Sequence, residues 1–365
     1  MEQTRKIRYA VVGLGNIGQV AVLPGIQNAA ENSELVALIS SGERKLAELS
    51  ARHHVAHTGG YDDMEAVLAR SGADALYIAL PNHMHRSFAE RAACAGVHVL
   101  CEKPMALDED DCRAMIEAAE DNQVKLMIAY RLHFDPANLR AVELVRSGQI
   151  GEARLVMSLL THRVRADDIR QEPSAGGGAL FDAGVYPINA ARYLFADEPI
   201  EVFAYTVTNR QGVDDTAVAT LRFTGQRFAQ FTVSQSAAST SWYRVVAAEG
   251  DVVVEEAFEY ARPMRVMATI GDERQSLDIP KHDQFGAEVA YFSNCILSDA
   301  EPEPSGEEGE ADVRVVRALL ESADLGHPVG LPPFHRARYA DPRERIEKPG
   351  IVEPVPIDAP PPSLG

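Results

Sequence analysis

A short apolar run followed at once by a glycine-rich turn constrains the fold of this chain more than any other feature. Residues Ile7–Val12 are apolar and partly β-branched, which predicts a buried strand. Gly13, Gly15 and Gly18 come next and would allow, in that order, a tight turn, a close backbone approach to phosphate, and close packing of a helix on the strand. The N–H groups at the start of that helix attract anions. This order predicts a dinucleotide-binding turn; the alternative is a glycine-rich loop that only connects a strand to a helix.

The residues after this turn alternate between strand and helix patterns. Apolar runs predict further strands at residues 35–39, near 55, and at 73–80, 97–101 and 125–129. Helices are predicted between them, including one over 19–30 that Pro24 weakens and one that begins at Asp62 with Glu65 three residues on. This alternation predicts an α/β fold with an N-terminal Rossmann domain, a parallel sheet covered by helices, over residues 1–131.

The end of the second predicted strand carries residues that favour one dinucleotide over the other. NAD-specific sites usually place Asp or Glu here to hold the ribose 2′-hydroxyl. This chain instead has Ser40 and Ser41, followed by Arg44 and Lys45. Hydroxyls with two cations suit a 2′-phosphate, because charge-assisted bonds to phosphate are strong. The sequence therefore predicts NADP, with NAD less favoured; the alternative is that Arg44 and Lys45 are solvated charges on the first turn of a helix.

Two later strand ends also carry polar side chains. Since ligands bind at the carboxyl ends of parallel strands, Asn82 is expected either to reach the cofactor ribose or to cap the next helix. His83 and His85 are expected to serve the helix start and packing. Lys103 follows the fifth strand and directly precedes Pro104. This position would place the Lys103 ammonium group beside a nicotinamide ring, and a cis Lys103–Pro104 bond would fix the direction of the side chain.

The pattern changes after residue 153. Runs that alternate apolar and polar residues predict strands at 155–159, 202–207, 217–223, 228–233 and 243–248. They predict a C-terminal α+β domain over 132–331, with a large, mostly antiparallel open sheet. The second sheet face is also apolar, so a partner subunit is expected to cover it in a homodimer or homotetramer. The proline-rich residues 332–365 predict an irregular arm that either wraps a neighbouring subunit or is loose.

A loop over residues 160–180 leads to a second group of candidate residues. Asp182 and Tyr186 lie four residues apart, so a helical turn would place both on one face. The alternatives are that Asp182 is the N-cap of a helix over 183–195 and that Tyr186 is an ordinary half-buried tyrosine. Arg163 and Arg170, in the loop, would either bind a sugar or remain surface charges.

Composition excludes several classes of partner. The net charge of −19 argues against nucleic acid and against anionic membrane surfaces, and no apolar run is long enough to span a bilayer. The four cysteines lack CxxC spacing, which predicts reduced thiols and no metal site. Residues 1–6 lead directly into the first strand and leave no room for a signal peptide, so a cytoplasmic location is expected.

Four motifs together resemble one family of enzymes. GLGNIG at 13–18, LPNHMH at 80–85, CEKP at 101–104 and AYRLHFDP at 129–136 have the order and spacing found in the Gfo/Idh/MocA oxidoreductases. The resemblance runs from about residue 7 to about residue 331. Three adjacent glycines at 176–178, with Asp182 and Tyr186 after them, are most similar to the glucose–fructose oxidoreductases and related NADP-dependent aldose oxidoreductases.

The resemblance implies roles for individual residues. It implies that Tyr186 is the general acid/base, that Lys103 orients the substrate oxygen and tunes Tyr186, and that Asp182 positions a sugar. Many members of the family have histidine where this chain has Tyr186, so tyrosine favours the aldose branch. The resemblance and the residues at the strand ends together imply a set of cofactor-binding residues: Gly13, Leu14, Gly15, Asn16, Ile17, Ser40, Ser41, Arg44, Lys45, Leu80, Pro81, Asn82, His85, Glu102, Lys103 and Arg131.

The expected activity is hydride transfer between NADP and a sugar. The substrate class implied is an aldose oxidised at C1 to a lactone, coupled in some members to reduction of a second sugar. One alternative is a cyclitol or trans-dihydrodiol dehydrogenase on the same scaffold. The other is a non-catalytic regulatory protein that binds NADP, against which the presence of Lys103, Asp182 and Tyr186 argues.

Overall fold

The computed structural model describes residues 5–364, and its contacts divide them into two compact units. Residues 1–4, on which the expectation of no signal peptide partly rests, lie outside this range. The first unit contains the chain up to Arg131 together with His282–Gly309 and Ile346–Pro361. The second contains Leu132–Lys281, Glu310–Arg345 and the residues from Pro362 onward. The linear domains 1–131, 132–331 and 332–365 stay predictions.

The first unit is built on a parallel sheet. Its strands are β1 (Ile7–Val12), β2 (Ser33–Ile39), β3 (His57–Gly59), β4 (Ala75–Ile78), β5 (His98–Glu102) and β6 (Leu126–Ala129). They run in the order β3-β2-β1-β4-β5-β6, and each neighbouring pair is parallel. This is the strand order of a doubly wound dinucleotide-binding fold, so the predicted Rossmann sheet is confirmed.

Helices are numbered along the whole chain. They are α1 (Leu23–Asn28), α2 (Glu43–His53), α3 (Met64–Ser71), α4 (His85–Cys94), α5 (Glu109–Asp121), α6 (Pro136–Arg146), α7 (Val185–Phe195), α8 (Gln284–Ser298) and α9 (Gly306–Leu325). In the first unit, α8 packs on α1, β1 and β2. In the second, α6 packs on α7. Among residues 5–364, no helix combines the length and apolar character needed to cross a bilayer.

Three local predictions in the first unit had different outcomes. The helix predicted over 19–30 is present and irregular: a π-helical turn at Gly18–Val22 continues as α1, because Pro24 cannot donate the next helical hydrogen bond. Asp62 does not begin α3, because the Asp63 N–H donates to the Gly60 carbonyl (3.2 Å) and places Asp62 within a turn.

The third strand also lies two residues later than predicted. His54 ends α2 in a left-handed conformation (φ 57°), and the Val55 N–H donates to the Ser50 carbonyl at 2.9 Å. Val55 therefore belongs to the helix C-terminus, and the strand begins at His57. An apolar residue in such a short segment does not distinguish a helix end from a strand.

The second unit is built on a large mixed sheet. Its strands are β7 (Ala153–Val164), β8 (Glu201–Thr208), β9 (Asp214–Arg222), β10 (Phe228–Ser234), β11 (Ser236–Ala247), β12 (Gly250–Glu255), β13 (Met264–Ile270), β14 (Glu273–Ile279), β15 (Val329–Gly330) and β16 (Ser363–Leu364). The order is β14-β13-β12-β11-β7-β10-β9-β8-β15, and β16 pairs with β7. The β7–β10 pair is parallel and the other pairs are antiparallel, which confirms the predicted mostly antiparallel sheet.

Candidate active site

The turn after β1 shows which of its glycines packing requires. Gly13 has φ +94°, and a Cβ atom there would lie 2.3 Å from the Ala79 carbonyl oxygen. A Cβ on Gly18 would lie 2.5 Å from the Gly13 oxygen. A Cβ on Gly15 would meet no atom within 4 Å. Packing therefore requires glycine at 13 and 18, whereas Gly15 leaves open space at a helix N-terminus, where a dinucleotide pyrophosphate fits.

The residues predicted to hold a 2′-phosphate lie between β2 and α2. Ser40 is buried, and its Oγ accepts a hydrogen bond from the Gly42 N–H at 3.3 Å, whereas Ser41 is exposed. The Arg44 side chain is 70% exposed and donates to Glu48 at 2.7 Å and to Asp358 at 3.3 Å. Lys45 is half-buried. Both cations lie in the first turn of α2.

His85 links two strand-end loops of the first unit. Its Nδ1 lies 2.9 Å from the Pro104 carbonyl and its Nε2 lies 2.9 Å from the Leu80 carbonyl. The ring is fully buried, and burial lowers the pKa of His85 although the two carbonyls oppose that shift. Through this histidine the loop after β4 is tied to the loop after β5. A direct contact between His85 and a cofactor stays a prediction.

Among the other predicted cofactor-binding residues, Pro81, Asn82 and Lys103 keep accessible surface, whereas Arg131 does not. Asn82 begins a 3₁₀ turn at Asn82–Met84 that leads into α4, and Pro81 and Asn82 are half-buried. Lys103 is half-buried, and the Lys103–Pro104 peptide bond is cis. Arg131 is buried and donates to Gln284, with its guanidinium 5.9 Å from the Phe285 ring.

Glu102, which precedes Lys103 and is predicted to bind cofactor, forms a pair of carboxyl groups with Glu288, a residue that the sequence did not indicate. The Tyr77 hydroxyl lies 3.0 Å from Glu102 Oε1 and 3.2 Å from Glu288 Oε1. Burial is the main cause that raises the pKa of both carboxyl groups, and for Glu288 the charge of Glu102 adds to it. A phenol carries one proton, so both contacts are hydrogen bonds only when one carboxyl is protonated. Glu288, on α8, is the fully buried partner and the one we expect to hold that proton.

In the second unit, Asp182 and Tyr186 share one helix and one kind of environment. From Gly178 to Phe195 all residues are buried except Asp182 and Tyr186, which are half-buried. Gly184 lies between these two residues in the sequence. The helix starts with a π-helical turn at Leu180–Gly184 and continues as α7. The Tyr186 ring packs against Phe258 with centroids 6.0 Å apart. The accessible surface of this helix is thus confined to one carboxylate and one phenol.

Three side chains hold the Asp182 carboxylate in a fixed orientation. Arg170 Nε donates to Oδ1 at 2.9 Å, and Oδ2 lies 3.3 Å from His162 Nε2 and 3.4 Å from Gln235 Nε2. Arg170 also donates to Asp168 at 3.0 Å. The two carboxylates raise the pKa of Arg170 although burial opposes them, so this arginine is committed to an ion-pair cluster. Arg170 is therefore not an unpaired surface charge, and its contact with a sugar stays a prediction; Arg163 is exposed on β7.

The alternative that Asp182 is the N-cap of this helix is wrong. The cap is supplied by Asp214, on β9, whose Oδ2 accepts a hydrogen bond from the Leu180 N–H at 2.7 Å. Gly178, with φ +121°, makes this approach possible, because a Cβ there would lie 2.1 Å from Asp214 Oδ1. Burial raises the pKa of Asp214 to about 6. Asp182 instead belongs to the Arg170 cluster.

Buried polar contacts also hold α7 in place. His133 Nε2 lies 2.8 Å from Asn189 Oδ1, and Asn189 donates to Asp312 at 2.9 Å. Arg192 has no exposed surface and donates to Asp312 at 2.5 Å and to both Glu198 oxygens at 2.7 and 2.8 Å. A buried network of this kind rigidifies the helix when its members are satisfied. It therefore fixes the orientation of the helix that carries Tyr186.

The structure thus brings Asp182 and Tyr186 together on one helix and places the glycine turn, the Arg44 region and Lys103 in the first unit. His162, Gln235 and Asp214 were missed because each contacts the helix from a distant strand or loop. Within residues 5–364, no cluster of His, Cys, Asp and Glu side chains has the arrangement of a metal site.

Comparison with known protein families assigns this architecture to a class of enzymes. Residues 7–130 match an oxidoreductase family with an NAD-binding Rossmann fold, and residues 138–253 match the GFO/IDH/MocA C-terminal domain. The chain belongs to the GFO/IDH/MocA oxidoreductase family, as the sequence motifs predicted.

Individual relatives align over most of the chain. A D-xylose 1-dehydrogenase [NADP(+)] from Haloarcula marismortui is 31% identical over 336 residues, which cover 89% of this chain and 93% of the relative. The crystal structure of an aldose-aldose oxidoreductase from Caulobacter crescentus, complexed with glycerol, is 34% identical with a TM-score of 0.85, covering 90% of this chain and all of that one. A 3-ketoreductase from Actinomadura kijaniata, crystallised with NADP and TDP-benzene, is 28% identical with a TM-score of 0.80, covering 87% of this chain and 98% of that one.

The carboxyl pair predicts an unusual pH dependence of stability. Because folding raises the pKa of Glu288 above 4.5, this group stabilises the fold at low pH, and that contribution is lost as pH rises through the folded pKa. Glu288→Gln mimics the protonated acid and does not titrate. The difference in free energy of unfolding, variant minus wild type, should therefore grow between about pH 5 and 8 in urea titrations.

Glu120→Gln is the matched control, because Glu120 is an exposed residue on α5. Its difference from wild type should be constant over the same range. Parallel stability curves for wild type and Glu288→Gln would show that Glu288 is ionised in the folded protein.

Proposed function

We propose that this chain is an NADP-dependent oxidoreductase that moves a hydride between the nicotinamide and C1 of an aldose, giving a lactone in the oxidative direction. The observation that carries the proposal is the agreement between two facts. The glycine turn has open space for a pyrophosphate, and the aldose-aldose oxidoreductase and D-xylose 1-dehydrogenases align over 88 to 90% of the chain. Reduction of a second sugar could close the catalytic cycle.

The cofactor is NADP. Two D-xylose dehydrogenase relatives are named for NADP(+), and the 3-ketoreductase was crystallised with it. Arg44 and Lys45 supply positive charge after β2, where NAD-specific sites usually carry an acid. The relatives at 31 to 34% identity favour an aldose over a cyclitol or a dihydrodiol, and favour an enzyme over a regulatory protein without chemistry.

The proposed chemistry assigns the proton to Tyr186. When bound, NADP takes up the hydride that leaves C1. As the C1–H bond breaks and the C1=O bond forms, the hydroxyl proton passes to Tyr186, which acts as general base. A phenol has a reference pKa of about 10, so a nearby cation is needed to favour the phenolate. We assign that role to Lys103, which also orients the substrate oxygen.

Asp182 positions the sugar in this proposal. A carboxylate accepts hydrogen bonds from sugar hydroxyls, and precise orientation contributes much of an enzyme's rate enhancement. The side chains of Arg170, His162 and Gln235 hold both oxygens of Asp182, so its remaining lone pairs have a fixed direction. The Asp182 carboxylate would therefore meet a ligand in one fixed orientation, whereas an exposed, mobile carboxylate would not.

Replacement of Tyr186 by phenylalanine tests the proton assignment. Tyr186→Phe removes one hydroxyl and should lower kcat for aldose oxidation about 10²- to 10⁴-fold, the usual contribution of a general base. The dissociation constant for NADP, measured by titration calorimetry, should stay near the wild-type value. The rate is followed as NADPH absorbance with a panel of aldoses, inositols and cyclic diols.

Tyr61→Phe is the matched control, since Tyr61 is a half-buried tyrosine of the first unit that packs on Phe88. It should retain wild-type turnover. Near-normal activity of Tyr186→Phe, in a variant with unchanged melting temperature, would refute the assignment. Activity confined to inositols or cyclic diols would instead move the substrate class away from aldoses.

We also propose that the open sheet of the second unit is the interface of a homodimer or homotetramer. Tyr205 is 66% exposed and pairs across β8 and β9 with Val218, which is 51% exposed. Phe228, on β10, pairs with Leu155, on β7, and both are more than one-third exposed. These apolar residues lie on neighbouring strands, and such a surface is typical of a protein interface.

A charge placed on this face should separate the subunits. Val218→Arg would bury an unpaired cation in the proposed interface, so light scattering should report a smaller species than the wild type. Leu325→Arg, at a residue of α9 that is 52% exposed, should leave the mass unchanged. The proposal fails if both variants keep the wild-type mass.

The proposed location remains cytoplasmic, where Cys101, Cys112 and Cys295, all buried, would stay as thiols.

A further inference from the structure

Residues 355–359, here called the strap, lie against the glycine turn of the first unit. The Gln19 side chain makes two hydrogen bonds to the backbone of Ile357: Nε2 donates to its carbonyl at 2.9 Å, and Oε1 accepts from its N–H at 2.7 Å. Asn16 Nδ2 donates to the Ala359 carbonyl at 3.0 Å. Gln19, Ile357 and Ala359 are all at least 90% buried. The strap is therefore anchored to the predicted cofactor-binding turn by buried, well-formed bonds.

The residue between the two anchors has the opposite environment. Asp358 has φ +46°, a left-handed conformation that few residues other than glycine, asparagine and aspartate adopt readily. Its side chain is 50% exposed, and Oδ1 lies 3.3 Å from Arg44 Nη1. Arg44 Nε meanwhile donates to Glu48 at 2.7 Å. The turn at Asp358 thus directs a carboxylate toward the arginine that is proposed to hold the 2′-phosphate.

The Glu48 and Asp358 carboxylates that contact Arg44 affect the choice between NADP and NAD. A 2′-phosphate that binds Arg44 must share it with Asp358 and Glu48, and like charges at this distance repel each other. The ribose 2′-hydroxyl of NAD carries no charge and meets no such repulsion. Asp358 therefore weakens the binding of NADP more than the binding of NAD.

We propose that the strap is part of the dinucleotide site and that Asp358 is a specificity-determining residue, which occupies Arg44 in the absence of cofactor and lowers the preference for NADP over NAD. This inference rests on the proposed function, because it assumes that Arg44 faces the 2′-phosphate. The Gln19 and Asn16 bonds stay in place when cofactor binds, and only the Asp358 carboxylate gives up its contact with Arg44.

Asp358→Asn tests the inference in the full-length protein. Asparagine adopts the left-handed conformation as readily as aspartate, so the backbone of the strap is kept while the charge is removed. The dissociation constant for NADP, measured by titration calorimetry at low salt, should fall about two- to fivefold, the range that an exposed charge contributes. The constant for NAD should change less than about twofold. The effect on NADP should disappear at about 1 M salt, where the Debye length is about 3 Å.

Glu353→Gln is the matched control, because it removes the same charge from an exposed position five residues earlier. It should leave both dissociation constants unchanged. An unchanged or weaker affinity of Asp358→Asn for NADP, or an equal gain in Glu353→Gln, would overturn the inference. Weaker binding of NAD by Asp358→Asn would overturn it as well, since the carboxylate would then be holding the ribose.

Hydrogen exchange gives a second test, because it reports directly on a hydrogen bond that anchors the strap. Hydrogen exchange at the Ile357 amide, which donates to Gln19, should stay protected when wild-type protein is saturated with NADP. Loss of that protection would show that the strap leaves the turn, contrary to the inference. If the wild type binds neither NADP nor NAD, the proposed function fails and the inference with it; if it binds NADP and Asp358→Asn has no effect, only the inference fails.

Discussion

The close contact between the turn after β1 and the end of β4 determines how the first unit can be built. Gly13 adopts φ +94° with its Cα against the Ala79 carbonyl, and Gly18 packs on Gly13 in turn, so neither position has space for a side chain. That packing brings the helix N-terminus directly behind the strand and leaves Gly15 facing open space. The strap, the Arg44 region and the His85 link between two loops all lie at the same carboxyl edge of the sheet. Binding of a dinucleotide therefore depends on a backbone geometry that only glycine allows.

In the second unit, polar contacts fix a helix on which the two half-buried residues Asp182 and Tyr186 are proposed to act on the substrate. Asp214 caps the start of the helix, the Asp312–Arg192–Glu198 network fixes its inner face, and Arg170 fixes the Asp182 carboxylate. Both this helix and the one after the glycine turn begin with a π-helical turn, a feature that recurs at functional sites. Rigidity of this kind is what a proton-transfer residue such as Tyr186 requires in the proposed mechanism.

Local patterns in the sequence were sufficient for the parts of the fold that local physics decides. The parallel strands are continuous apolar runs, the glycine turn has a fixed spacing, and the sheet of the second unit begins with clear alternation, so these were predicted. The third strand begins two residues after Val55, and the cap predicted at Asp62 is wrong, because a helix stop and a turn compete with these patterns in the same short segments. Glu288, Asp214 and Gln235 were missed because each acts through a partner at least 34 residues away in the sequence, and no local pattern marks such a contact. The pairing of Arg44 with Asp358, 314 residues apart, escaped for the same reason.

Gly15 is the glycine of the turn that a ligand requires and packing does not, because a Cβ there would meet no atom within 4 Å. Gly15→Ala adds a methyl group to open space, so the melting temperature should stay at the wild-type value while the dissociation constant for NADP rises at least about tenfold. Gly18→Ala, which forces a Cβ to 2.5 Å from the Gly13 oxygen, should lower the melting temperature instead. Calorimetric titration of Gly15→Ala with NADP, beside a thermal melt of the same sample, decides the matter. Wild-type affinity for NADP in a fully folded Gly15→Ala variant would contradict the account.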